Sequence, residues 1–123
     1  MEYVRQVDFA AIERRGATER VTQPLLDHAS GAKTCTIICI TTPPGDGSPA
    51  GLHVHEVDQA FYILRGTISI EIEGQQNDCG PGSSIVFPAG VPHRNWNGGS
   101  EPTVHLAINT PLPDPNKPFA QSL

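Results

Sequence analysis

Residues 47–66 read GSPAGLHVHEVDQAFYILRG, and the His53-Val54-His55 triplet inside them decides how the rest is read. On an extended strand, positions i and i+2 point to one face, so the two imidazoles stand side by side. Two imidazoles so placed make a clamp for a divalent metal, since the neutral ring is the commonest metal-ligand side chain. The triplet therefore predicts a strand over Leu52–Val57 that carries chemistry on one face.

The segments on either side have the same character. Thr34–Thr42 is rich in β-branched residues and stops at Pro43-Pro44-Gly45, with a loop expected over Asp46–Gly51. Downstream, Phe61–Leu64 and Thr67–Glu73 are separated by Arg65-Gly66. In the second of these, Ile68, Ile70 and Ile72 alternate with Ser69, Glu71 and Glu73, which predicts one buried face and one wet face. Ser84–Phe87 lies between Gly80-Pro81-Gly82 and Pro88-Ala89-Gly90, and Thr103–Thr110 forms the last predicted strand. A short helix is predicted over Asp8–Arg15, capped by Asp8 and stopped by Gly16. With 12 glycines and 12 prolines in 123 residues, short strands and tight turns are favoured over long helices, and an all-β sandwich or barrel is expected.

Composition excludes several partners. A net charge of −5 with eight Lys and Arg leaves no basic face for nucleic acid, and no basic amphipathic stretch suggests a membrane surface. No apolar run of signal length follows Met1, so a cytoplasmic location is expected. Cys35, Cys39 and Cys79 are odd in number, and the first two share one predicted strand; they are read as buried reduced thiols. Ile38, Ile40, Phe61, Ile63, Ile85, Phe87 and Trp96 are the expected core or pocket lining, and His28 a surface histidine.

Two spaced motifs sharpen the picture. Gly47, His53, His55, Gln59 and Gly66 follow one pattern, and Gly82, Pro88, Gly90, His93 and Asn97 follow a second. Together they resemble the two motifs of the cupin family, with every spacing met and with Gln59 where that family usually has glutamate. The resemblance implies a cupin double-stranded β-helix, or jelly-roll barrel, as a single domain. The barrel is expected over residues 27–110, with an N-terminal segment over 1–26 and a proline-rich tail over 111–123. It further implies one divalent transition metal (Mn, Fe, Ni, Co or Zn) held by His53, His55 and His93, with Gln59 as fourth ligand or else uncoordinated. A glutamine carbonyl supplies only a dipole, so the metal would keep more of its charge and be a sharper Lewis acid.

The last strand adds candidates. His105, Ala107 and Asn109 share one face of Val104-His105-Leu106-Ala107-Ile108-Asn109. Small manganese-dependent hydroxynitrile-lyase cupins are similar here, with a His-x-His-x-x-x-Gln run and a His-Leu-Ala-Ile strand. That similarity implies His105 as a proton shuttle and Asn109 as an orienting group; a structural histidine is the competing reading. The expected function is a metal-dependent enzyme of lyase, isomerase or cyclase type, acting on a small, mostly apolar substrate whose oxygen meets the metal. A metal-dependent dioxygenase and a non-catalytic binding or sensing module are the alternatives. A homodimer is expected, with residues 1–26 and the proline-rich tail as the contributing segments. For the tail, an extended course across the barrel or a partner and a solvated terminus are both open.

Overall fold

The computed structural model describes residues 2–123, without the side chains of residues 48–50. In it, a helix α1 (Phe9–Arg15) precedes strands β1 (Val21–Leu26), β2 (Thr36–Thr42), β3 (Gly47–His55), β4 (Asp58–Arg65) and β5 (Ile68–Ile72). Strands β6 (Gln75–Cys79), β7 (Ser84–Phe87), β8 (His93–Trp96), β9 (Thr103–Thr110) and β10 (Ala120–Ser122) complete the chain. They form two five-stranded antiparallel sheets, ordered β1-β2-β9-β4-β7 and β10-β3-β8-β5-β6.

Alternation along each strand delivers the core. Phe61 and Ile63 on β4, Ile68 and Ile70 on β5, and Ile85 and Phe87 on β7 meet in one buried cluster. Burying each such side chain contributes roughly 1.5–3 kcal/mol. Helix α1 closes one flank: the Asp8 carboxylate accepts from the Ala11 N–H at 3.1 Å, and Ile12 packs with Cys39 and Val104. The three cysteines stand free, with Cys39 buried and Cys35 and Cys79 half-buried.

Several local expectations change. The stretch 47–51, expected as loop, belongs to β3, which runs from Gly47 to His55. Ser69, expected on a wet face, is buried between its cross-strand neighbours Trp96 and Asp78, and the Asp78 carboxylate accepts its hydroxyl at 2.7 Å. Trp96 is neither core nor pocket lining. On β8 the parity turns His93 and Asn95 inward, leaving Trp96 half-buried under the Arg94 guanidinium, 4.7 Å from its ring centroid. The tail takes the extended course: β10 pairs with β3, setting Ala120 opposite His55 and Ser122 opposite His53.

Two motif glycines have mechanical causes. A Cβ on Gly47 would lie 2.5 Å from the Asn95 carbonyl oxygen, so only glycine lets β3 approach β8 there. Gly66 turns the chain between β4 and β5 at φ +77°, and a Cβ there would meet the Pro102 carbonyl at 2.8 Å. Asn97 closes the second motif as a clamp. Its amide donates to the carbonyls of Thr42 (3.0 Å) and Glu101 (2.8 Å) and accepts from the Gly99 N–H (3.0 Å). No helix among the described residues is long and apolar enough to cross a membrane.

Candidate metal centre

Strand parity and one register bring the three histidines together. His53 and His55 point inward from β3, and His93 on β8 is the direct cross-strand partner of His53. All three are buried, with exposures of 2%, 4% and 0%. Their ring centroids are 4.3 Å (His53–His93), 4.6 Å (His55–His93) and 5.0 Å (His53–His55) apart.

The donor atoms fit one ion. The three ligand nitrogens lie within 4.8 Å of one another. Two nitrogens each ~2.1 Å from a shared ion are separated by at most ~4.2 Å, so small ring adjustments suffice. His93 Nδ1 is bonded to the Val91 carbonyl at 3.0 Å; as its donor it leaves Nε2 as a lone pair, and that atom is buried without a partner. His53 Nδ1 and His55 Nδ1 are likewise buried without partners. Orphaned buried nitrogens are costly unless something meets them. Burial pushes all three imidazoles below their ordinary pKa, and the neighbouring rings add to this at His53 and His55, the latter falling to about 4. They are therefore neutral near pH 7, the form a metal requires.

Gln59 enters from β4, buried and lining the same cavity. Its Nε2 donates to Asn109 Oδ1 at 3.0 Å, and Asn109 Nδ2 donates to Thr36 Oγ1 at 3.0 Å. This relay fixes the amide so that its carbonyl oxygen stays available as an acceptor. Nearby carboxylates are committed elsewhere: Asp58 accepts from the Ala89 N–H at 2.8 Å, and the exposed Glu56 lies 3.7 Å from Lys117.

The cavity lies between the sheets and holds about 400 Å³. Ile38, Ile40, Phe61 and Ala107 form apolar walls. Sequence reasoning passed over Arg20, Thr36, Asn95 and Phe119, which also line it. Thr36 shares the parity of Ile38 and Ile40, and Asn95 that of His93, so alternation alone would have found those two. Nothing local signals Phe119, whose ring reaches His55 with centroids 4.2 Å apart as the tail crosses the mouth.

His105 sits further along β9, only 2% exposed, with its ring 4.1 Å from that of Phe61 and both nitrogens unpartnered among the described residues. Burial, with the Arg20 charge adding, lowers its pKa to about 4. In the unfolded chain it titrates near the ordinary 6.5. Between those values the unfolded state binds more protons, so stability must fall as pH drops through 6.5 toward 4. We expect urea midpoints measured with chelator present to decrease from pH 7 to 5. The decrease will be shallower in His105→Gln; an identical slope in both proteins would remove His105 as its source.

Comparison with known proteins follows the same lines. A search of curated protein sequences gives no significant match. Among solved structures, the polyketide cyclase RemF from Streptomyces resistomycificus superposes with a TM-score of 0.72 at 24% identity, covering 99% of this chain and 78% of that one. A "putative mannose-6-phosphate isomerase" from Ralstonia eutropha superposes with a TM-score of 0.64 at 32% identity, covering 78% of this chain and 88% of that one. The cupin domain model matches residues 39–109, a span holding all three histidines, Gln59 and both sheets' central strands; this chain is a member of the cupin family.

Proposed function

We propose that the chain is a metal-dependent enzyme of lyase, isomerase or cyclase type, acting on a small, mostly apolar molecule with a metal-binding oxygen. The observation that carries this reading is the convergence of three neutral imidazoles, their nitrogens orphaned, on an apolar cavity. His53, His55 and His93 would hold one divalent transition metal (Mn, Fe, Ni, Co or Zn), with the Gln59 carbonyl as fourth ligand. The metal would supply Lewis acidity, stabilising negative charge as it develops on the substrate oxygen.

The chain's own residues prepare that site. Asn109, itself held by Thr36, takes the Gln59 amide nitrogen and so leaves the Gln59 oxygen for the ion, acting as a positioning residue. Gln59 contributes no charge, so the cation's field is not neutralised where the substrate enters. Ile38, Ile40 and Phe61 exclude water and strengthen every electrostatic contact inside. A histidine on the inward face of β9 invites a proton-transfer role. Its cover by Phe61 and a pKa near 4, far from the working range of a base at pH 7, favour a different one: His105 seats Phe61 on the cavity wall. The cyclase and isomerase names of the structural neighbours fall within the same reaction classes. Exposed Tyr62, Leu64 and Val86 on the β4 and β7 margin suit the contact face of a homodimer.

The test is turnover of metal-loaded protein on a panel of small hydroxy and carbonyl compounds, under air and under argon. Turnover at the same rate in both, and lost with chelator, is the expected result. A requirement for O₂ would make the chain a dioxygenase instead. Full activity in chelator-stripped protein would end the metal reading altogether.

A further inference from the structure

The cavity inverts the charge of the protein around it. The chain carries 13 Asp and Glu against eight Lys and Arg, yet no carboxylate lines the cavity among the described residues. Its one permanently charged lining side chain is Arg20, immediately before β1. Arg5, Arg15, Arg65 and Arg94 are each paired with a carboxylate; among the described residues Arg14 and Arg20 have no acidic partner, and of these two only Arg20 lines the cavity. An arginine fork facing a cavity without a counter-charge is a receptor for a planar anion.

Its place beside β1 sets it apart from Gln59. Gln59 lies on β4, three strands from β1 in the order β1-β2-β9-β4. At ~4.8 Å per strand, that is roughly 14 Å between the two strands. Ile38, Ile40 and Ala107 form the apolar part of the surface between, with Pro113 and Phe119 of the tail also lining the cavity. Of its polar side chains, Gln59, Asn109 and Thr36 already bond one another, which leaves little to pair the many hydroxyls of a sugar.

We propose that Arg20 is a substrate-binding residue that recognises an acid group, so that the substrate is an organic anion with an apolar body, its metal-seeking oxygen at one end and its carboxylate at the other. This rests on the functional reading above for the oxygen, but not for the acid group. Arg20 is itself exposed, so it stands where a ligand entering from solvent meets it while it lines the cavity. A single charge-assisted hydrogen bond at a partly wet site is worth about tenfold in affinity.

The experiment titrates the full chain, Zn²⁺-loaded and chelator-stripped, with 6-hydroxy-2-naphthoate, 2-naphthol and mannose-6-phosphate at pH 7.5. The naphthoate should bind about tenfold more tightly than the naphthol in both forms of the protein. Arg20→Gln should erase that preference without changing naphthol affinity, and Arg20→Lys should keep part of it. A preference that survives in Arg20→Gln but vanishes with chelator would mean the carboxylate seeks the metal, which overturns the Arg20 assignment and leaves the metal centre standing. Naphthoate no tighter than naphthol, or neither bound, would also overturn it. Tighter binding of mannose-6-phosphate than of naphthoate would refute the apolar body.

Discussion

Replacing His93 with alanine will abolish stoichiometric metal binding while leaving a folded barrel. His93 is fully buried, is the cross-strand partner of His53, and stands within 4.6 Å, ring to ring, of both other histidines. Its tautomer is set by the Val91 carbonyl, which leaves the other ring nitrogen as a lone pair for the ion. Disturbing a residue that merely orients a ligand costs 10–100-fold in metal affinity; losing the ligand itself must cost more. Elemental analysis after desalting should fall from about one metal per chain to below a tenth. In the metal-free state the variant should stay folded but lose stability, because removal of the orphaned nitrogen only partly offsets the lost packing and the lost Val91 bond. Retention of a full metal equivalent would place the ion elsewhere.

The second large effect is on folding. Phe87 is completely buried and stands between Phe61 and His93, with ring centroids 4.8 Å and 4.4 Å away. Phe87→Ala empties the position that joins the core cluster to the metal histidines. Buried Phe→Ala changes cost about 3–5 kcal/mol, a large part of the 5–15 kcal/mol that holds an ordinary domain together. Urea denaturation with chelator present should therefore show a loss of about 3–5 kcal/mol. Phe87→Leu, which keeps most of the volume, should lose less than half as much. Metal affinity should fall in step in the alanine variant, since His93 loses the surface that fixes its ring. A loss below 1 kcal/mol would mean that the core does not run through this residue.

What the sequence disclosed follows from how local each signal is. The i, i+2 parity of His53 and His55 needs only an extended backbone, and the isoleucine alternation of β5 only a sheet with one inner face. Both could be read directly. His93 and Asn97 were reached through the motif resemblance, because cross-strand register is set by turns and bulges that no local pattern encodes. The elements that escaped notice have physical reasons. β6 is Gln75-Gln76-Asn77-Asp78-Cys79, polar on both faces because it is an edge strand. β1 contains Pro24 and a register shift between Pro24 and Leu26, which hides its period. The segment 47–51 carries glycines and a proline that suit a loop, yet Gly47 is there so that β3 can lie against β8. The relay from Thr36 through Asn109 to Gln59 joins residues 73 and 50 positions apart. Only the sheet order β2-β9-β4 makes them neighbours.

The most direct measurement is an anomalous-difference map from a crystal of the metal-loaded chain, collected above and below the absorption edge of the ion supplied. The account predicts a single strong peak about 2.1 Å from nitrogens of His53, His55 and His93, with the Gln59 oxygen on the same ion. A peak bound by other side chains, or three ordered imidazoles with none among them in protein shown to carry metal, would contradict it.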